Sequence, residues 1–179
     1  FRPEYRELRA LRDHPPEGTP VRAVTATATA RTRDDVCRAL GLAAPRRLVT
    51  TVDRPNLVYR VSAPKDFALL ARQVRSHAAR GSAIVYVPTT AEADSLAVSL
   101  ADAAGMAARA YHAKMEPEAR AEVHAAFTRD ELRVVVATLA FGMGIDKPDV
   151  RFVAHYSMPK SLEGYYQESA HHHPNNNPP

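Results

Sequence analysis

The chain has 179 residues, 45% of them hydrophobic, and a formal net charge of +4. This length and composition allow a real core but not several full domains, and no apolar run approaches the length of a membrane span. The single cysteine, Cys37, excludes an internal disulfide and, between Val36 and Leu40 on a predicted helix, favours a packed thiol over a reactive one.

The chain begins Phe1-Arg-Pro-Glu, with neither a methionine nor a signal segment, so we expect an internal part of a longer protein. Its charge is uneven. Residues 1–60 hold twelve arginines against seven acidic residues, whereas residues 61–179 hold twelve basic residues against thirteen acidic ones. Charge alone therefore favours nucleic-acid binding only for the first third, where a solvated arginine-rich surface is equally plausible.

Predicted helices and strands alternate along the chain, which is typical of a parallel sheet with crossover helices. In the first third the pattern predicts a helix, a strand, a helix with Thr32 as its cap and Gly41 as its stop, and a further strand. The positions that support these elements are Tyr5, Leu8 and Leu11; 21–25; Val36 and Leu40; and 48–52.

A linker with Pro55 and Pro64 follows, and we place a domain boundary there. We expect the end of one domain over 1–60, most of a second over 61–170, and an irregular tail over 171–179. The His/Asn/Pro composition of that tail favours an extension over a metal site.

Beyond the linker the pattern predicts three helices and four strands. The first helix ends near Gly81, the second opens with the capping box Thr89-Thr-Ala-Glu92 and ends at Gly105, and the third begins at Pro117. The supporting positions are Phe67, Leu70, Ala71 and Val74; 83–87; Leu96 and Leu100; 108–111; Ala119, Val123 and Phe127; 134–137; and 151–156.

The most informative stretch is the point where the buried strand 134–137 leads into Thr138-Leu-Ala-Phe-Gly-Met-Gly-Ile-Asp146. Ligands bind at the carboxyl ends of strands in open α/β sheets, and Gly142 and Gly144 leave a backbone that a phosphate could approach closely. On spacing alone, an ordinary glycine turn explains the stretch better.

This stretch and the Lys147-Pro-Asp-Val-Arg-Phe-Val-Ala-His155 that follows resemble motif V of the RecQ family of DNA helicases. The resemblance covers residues 1–169 and implies a RecA-like α/β fold that is incomplete, with the end of a first lobe and most of a second. The other blocks, in family order, are Phe1-Arg-Pro-Glu-Tyr5 of the aromatic-rich loop, Val24-Thr-Ala-Thr-Ala28 of motif III, Asp53-Arg-Pro-Asn56 between the lobes, Ile84-Val-Tyr86 of motif IV and Ala110-Tyr-His-Ala113 beyond it.

Three motifs of that family are absent from this chain. It has no G-x-x-x-x-G-K-[ST] phosphate loop and no D-E-x-H box, and Ala170-His-His-His stands where the family has the G-R-x-G-R helix with its arginine finger. An arginine finger contributes about 10³ to 10⁵ in turnover. We therefore expect this chain alone not to hydrolyse ATP, whereas the longer protein would use ATP and Mg²⁺.

The resemblance also implies roles around the nucleotide. Asp146 would accept a hydrogen bond from the ribose, with Gly142 and Gly144 keeping the approach open, although a turn or helix-capping aspartate is the alternative. Thr25 and Thr27 would couple nucleotide state to lobe movement. A β-branched strand end explains those two threonines equally well.

For DNA, the resemblance implies contacts from Phe1 and Arg2 to a single strand and from Thr138 to a phosphate. Plainer explanations are a helix start for the first pair and a hydroxyl bonded to its own backbone for Thr138. His112 would lie near the DNA backbone, or be structural. Thr89 stands where many relatives have an arginine, and we hypothesise that Lys114 restores part of that charge.

Together these features predict part of an ATP-dependent 3′ to 5′ DNA helicase that acts on single-stranded and duplex DNA in recombination and repair. A non-catalytic lobe that binds nucleic acid or a protein partner is the alternative. An RNA-directed relative fits the motif layout but not the wording of motif V. Ser157-Met-Pro-Lys-Ser161 is closer to eukaryotic members, which favours a nuclear protein over a cytoplasmic one.

Overall fold

The computed structural model describes residues 10, 19–25, 28–50, 55–63, 65–142, 147–159, 164, 165 and 169. The chain divides into two compact units, Phe1–Asp53 and Arg54–Pro179. The helix predicted around Tyr5, Leu8 and Leu11 lies outside the described residues.

The first unit contains helix α1, Ala30–Ala39. Its N-cap is Thr29, whose Oγ1 accepts a hydrogen bond from the Thr32 N–H at 3.2 Å, so the predicted cap at Thr32 was wrong by one turn. The predicted stop at Gly41 is confirmed. Gly41 has φ 61°, its N–H donates to Arg38 and that of Leu42 donates to Cys37, which is the Schellman arrangement.

The strands predicted over 21–25 and 48–52 are not strands in the described parts of those ranges. Val24 and Leu48 are more than four-fifths exposed, and α1 has no buried residue. A β-branched run forms a strand only where neighbouring strands accept its backbone hydrogen bonds. The described residues of the first unit include no such neighbour.

The second unit is a four-stranded parallel sheet with three crossover helices, which confirms the predicted fold class. The strands lie in the order β2-β3-β1-β4. The elements are α2, Phe67–Ala78; β1, Ser82–Tyr86; α3, Thr90–Ala104; β2, Ala108–Tyr111; α4, Pro117–Thr128; β3, Val134–Ala137; a 3-10 turn, Leu139–Gly142; and β4, Val150–His155.

Two separate apolar clusters cover the faces of this sheet. On one face α2 and α3 pack against the alternate side chains of β1 and β3, and on the other Val123 and Phe127 of α4 cover Ile84 and Val135. Every residue of β1 and β3 is buried, as expected of central parallel strands. The positions predicted on the three helices belong to these clusters or pack against them, except Ala119, which is half-buried and in neither.

The boundaries of the second unit follow local signals. The capping box is present at α3, since Thr89 Oγ1 accepts from the Glu92 N–H at 3.2 Å, and Gly105 ends this helix with φ 65°. Pro117 occupies the first turn of α4. Register along β1 and β4 shifts between Ser82 and Ala83, which pair with Val150 and Phe152, so Arg151 is the extra residue of a β-bulge.

Candidate functional site at the carboxyl edge of the sheet

The carboxyl ends of all four strands lie side by side at one edge of the sheet. Backbone hydrogen bonds continue past the strand ends: Thr138 donates to Tyr111 at 3.2 Å, Val87 to Ala137 at 2.9 Å and Tyr156 to Tyr86 at 2.9 Å. The four segments that leave the strands therefore start from fixed positions. This carboxyl edge is where an open α/β sheet presents its ligand-binding residues.

Four of the predicted site residues lie in the segments at this edge: Thr89 after β1, His112 and Lys114 after β2, and Thr138 after β3. Thr25 belongs to the first unit and is exposed. Gly142 ends the 3-10 turn. The other predicted site residues, Phe1, Arg2, Thr27, Gly144 and Asp146, lie outside the described residues.

The Thr89 side chain is used to cap helix α3. Its hydroxyl accepts from the Glu92 N–H and lies 3.3 Å from Glu92 Oε2. Glu92 also pairs with Lys65 at 2.8 Å, and the hydrogen bond from Lys65 holds the pKa of Glu92 below its usual value. Because this hydroxyl already accepts one hydrogen bond and has a carboxylate beside its proton, only its second lone pair is left for a further ligand.

His112 is buried and pairs with a residue that the sequence did not single out. Its Nε2 lies 3.0 Å from Asp94 Oδ1 on α3. A neutral ring that donates from Nε2 keeps Nδ1 as an acceptor, and Nδ1 is buried without a hydrogen-bond partner among the described residues. The pair ties α3 to the end of β2 and fixes the ring.

Thr138 and Lys114 are the more available groups at this edge. Thr138 is half-buried and Lys114 is exposed. The backbone N–H and carbonyl of Thr138 are both bonded, the latter to Phe141, whereas its hydroxyl makes no hydrogen bond within the described part of the chain. An ammonium and a hydroxyl on neighbouring strands are suitable donors for phosphate oxygens.

Both ends of the loop after β3 pack on one aromatic ring. Phe141 meets Phe127 edge-on, with centroids 5.5 Å apart, and also contacts Tyr111. At the other end, Lys147 Nζ lies 5.4 Å from the centroid of Phe127. Phe141 and Lys147, on either side of this stretch of chain, therefore both contact Phe127.

Lys147 is buried, and two carboxylates compensate its charge. Its Nζ lies 2.7 Å from Asp130 Oδ1 and 2.7 Å from Asp149 Oδ1. Burial by itself lowers the pKa of Lys147, but the hydrogen bonds and charges of the two carboxylates outweigh it and raise that pKa. The hydrogen bond from Lys147 lowers the pKa of Asp130, a residue held at φ 63°.

A cavity of about 250 Å³ opens between α2, α3 and the end of β4, lined by Phe67, Glu92, Ser95, Leu96, Ser99 and Tyr156. At its side, Lys65 Nζ lies 5.9 Å from the Tyr156 ring centroid, and the Tyr156 hydroxyl donates to the Lys65 carbonyl at 3.4 Å. Sequence patterns did not indicate these contacts, which join positions far apart in the chain.

Within the described ranges, no helix is long and apolar enough to cross a membrane. The same residues include no group of three or more His, Cys, Asp or Glu side chains placed to hold a metal ion.

Comparison with known proteins identifies the second unit. The model of the helicase conserved C-terminal domain matches residues 65–171. The chain is 44% identical over 170 residues to the ATP-dependent DNA helicase RecQ of Pasteurella multocida, covering 94% of this chain and 26% of that protein. It is 41% identical over 174 residues to the ATP-dependent DNA helicase Q1 of Mus musculus, with the same coverage of each chain.

The chain thus spans about a quarter of the length of these curated relatives. Among solved structures it is similar to yeast Dbp5 bound to RNA and ADP BeF3, with a TM-score of 0.68, 19% identity and coverage of 92% of this chain and 44% of that one. It is also similar to the Mycobacterium smegmatis helicase Lhr bound to single-stranded DNA and AMP-PNP, with a TM-score of 0.52, 28% identity and coverage of 57% and 14%.

Proposed function

Because this chain belongs to the helicase conserved C-terminal domain family, and to its RecQ branch, we propose that it serves as the second motor lobe of an ATP-dependent DNA helicase. The observation that carries the proposal is the carboxyl edge, where Thr138, Lys114 and His112 follow adjacent parallel strands in a chain 41–44% identical to RecQ-type DNA helicases.

Nucleotide would bind at the loop after β3. The residues present suit a ribose and its phosphates, since Gly142 leaves the backbone open and Asp146 supplies a carboxylate acceptor. Phe127, through Phe141 and Lys147, would hold the two ends of this loop in place. We place the ligands of Mg²⁺ and the phosphate loop elsewhere in the longer protein.

DNA would contact the same edge through Lys114 and Thr138, which donate to phosphate oxygens. His112, whose ring is held by Asp94, would lie near the backbone of the strand. Thr89 would contribute mainly by fixing the start of α3. Phe1 and Arg2 would add base stacking and a phosphate contact, and Thr25 and Thr27 would relay nucleotide state between the lobes.

The longer protein would translocate 3′ to 5′ and unwind duplex DNA in recombination and repair, in the nucleus if its source is eukaryotic and otherwise in the cytoplasm. We test the DNA contacts first on this chain, by the fluorescence anisotropy of a fluorescein-labelled single strand from 50 to 200 mM salt. Each phosphate contact adds about 0.7 to the slope of log affinity against log salt. Lys114→Gln should lower the slope by about that amount, and Thr138→Val should weaken binding at every salt concentration.

Arg72→Gln is the matched control, because Arg72 is exposed on α2 and its replacement removes the same charge. Equal slopes for the unchanged chain, Lys114→Gln and Arg72→Gln would contradict the proposed edge.

The non-catalytic alternative is tested in the protein encoded by the complete gene. Under our proposal, a non-hydrolysable ATP analogue changes its DNA affinity, and Asp146→Asn removes that effect. If the DNA affinity is the same with and without the ATP analogue, the result favours a non-catalytic lobe.

A further inference from the structure

The edge of the sheet opposite the candidate site carries three arginines from three different segments. Arg80 precedes β1, Arg133 precedes β3 and Arg151 lies at the start of β4. Strands β3, β1 and β4 are neighbours in the sheet, so these residues lie side by side at its amino edge. None of them is near the carboxyl-edge residues proposed above.

Two of these side chains, those of Arg133 and Arg151, approach Gly81. Arg133 donates to the Gly81 carbonyl at 3.4 Å, and Arg80 is the residue before it. A Cβ at position 81 would collide with the Arg151 side chain and with the Asp149 carbonyl. The stem of Arg151 therefore occupies space that exists only because residue 81 is a glycine.

The β-bulge contributes to the same arrangement. Arg151 is the residue without a partner between the Ser82–Val150 and Ala83–Phe152 pairs. A bulge redirects the side chain of its extra residue, and such bulges occur often beside functional sites. A glycine and a bulge on adjacent strands together place this guanidinium.

The charges of this group are left largely uncompensated. No carboxylate oxygen of the described residues lies within ion-pair distance of Arg80, Arg133 or Arg151. The nearest acids are engaged elsewhere, since Asp149 pairs with Lys147 and contacts the Ser82 hydroxyl, and Asp130 also pairs with Lys147. Arg133 adds only the smallest contribution to the lowered pKa of Asp130.

A histidine lies beside this group of arginines. His77 stacks on Phe152 with ring centroids 5.0 Å apart. Burial, followed by the charges of Arg80 and Arg60, lowers the pKa of this imidazole.

We propose that Arg80, Arg133 and Arg151 form a second anion-binding surface, which contacts the phosphate backbone of duplex DNA. Neighbouring strands are about 4.8 Å apart, so the three positions span about 10 Å. Successive phosphates of one DNA strand advance about 3.4 Å along the axis, and the span therefore covers about three such steps, from one phosphate to the fourth. Guanidinium groups bind phosphate oxygens through paired, planar donors.

The test measures binding of a fluorescein-labelled, mixed-sequence 20-base-pair duplex by this chain from 50 to 200 mM salt. Each contact to B-DNA adds about 0.9 to the salt slope. We expect Arg80→Gln and Arg133→Gln each to lower the slope by about 0.9, and the double variant by about 1.8. Arg72→Gln, which removes the same charge from the exposed side of α2, should leave the slope unchanged.

Thermal unfolding of the variants checks that the fold is intact, and Arg151 is left in place because its stem packs against Gly81. A double variant with the unchanged slope overturns the inference. The inference is also overturned if Arg72→Gln lowers the salt slope as much as Arg80→Gln or Arg133→Gln does. Lys114→Gln distinguishes the two surfaces. If only Lys114→Gln lowers the slope, duplex DNA binds the carboxyl edge and the amino-edge inference is wrong. If only Arg80→Gln and Arg133→Gln lower the slope, duplex DNA binds the amino edge and not the carboxyl edge.

Discussion

At the scale of single residues, Lys147 offers a direct test of what holds the loop after β3. Its side chain is 5% exposed and lies 2.7 Å from each of two carboxylates. Lys147→Met keeps most of the stem but leaves Asp130 and Asp149 facing each other without a cation. Breaking a buried pair costs about 3 to 5 kcal/mol, and because both carboxylates are partly exposed we expect about 3 kcal/mol in urea unfolding.

Arg129→Met is the control. The Arg129–Glu131 pair lies nearby, at 2.8 Å, but both partners are more than half exposed, and such pairs contribute about 0 to 1 kcal/mol. Similar losses for the two variants would show that the buried cluster does not anchor the loop.

The same cluster predicts how stability depends on pH. Lys147 has a raised pKa in the folded state, so its contribution is complete below its unfolded pKa of about 10.4 and is lost as the pH rises through the folded value. Asp130 has a lowered pKa, so its contribution is present above about 3.9 and is lost as the pH falls through the folded value. Urea midpoints below about pH 4 should therefore fall less steeply in Lys147→Met than in the unchanged chain.

The site residues that sequence reasoning missed are partners, not ligand-binding groups. Lys147 and Asp130 are 17 positions apart, and Asp94 and His112 are 18 apart. No local pattern marks such pairs, because the fold brings them together after each element has formed. Thr138 and His112 were predicted as site residues because each follows a recognisable strand and lies within a motif that resembles a known family, and their roles stay predictions.

At the scale of elements, Gly81 and Gly105 are needed for different structural reasons. Gly105 has φ 65° and no atom near a built Cβ, whereas at Gly81 a Cβ would overlap the bulge. Gly105→Ala should cost about 1 kcal/mol, the usual cost of a left-handed conformation without glycine. Gly81→Ala should cost about 1 to 3 kcal/mol by overpacking and should also shift the amide resonances of Arg151 and Phe152.

Unchanged resonances in Gly81→Ala would mean that the bulge does not depend on the missing side chain. Gly105→Ala provides the comparison, since its effect should stay within the end of α3.

Elements were predicted best where their cause is local. The capping box at Thr89 and the stop at Gly105 follow from residues in the element itself. The strand Val134–Ala137 was predicted as well, because its short apolar, β-branched run suits a strand covered on both faces. Residues 21–25 and 48–50 failed as strands because strand formation depends on a neighbour, which sequence periodicity does not supply. The bulge at Arg151 was likewise not predictable, since it is defined by pairing with β1.

At the scale of the whole molecule, the buried apolar residues of the described ranges all belong to the second unit, beginning at Leu70. Hydrogen exchange followed by mass spectrometry should therefore find strong amide protection in β1 and β3 and little in α1. We also expect a shallow melt and poor solubility for the isolated chain, because the outer edges of β2 and β4 have no partner strand among the described residues. Strong protection of α1, or one sharp transition for the whole chain, would contradict this division.

The strand order has a consequence for synthesis on the ribosome. Strand β1 is made first, yet both of its neighbours, β3 and β4, come about fifty or more residues later. Ser82–Tyr86, every residue of which is buried in the finished sheet, therefore cannot be paired on both sides until residues near 155 have emerged. At about 5 to 20 residues per second this delay lasts several seconds. The nascent chain should depend on chaperones most during that interval.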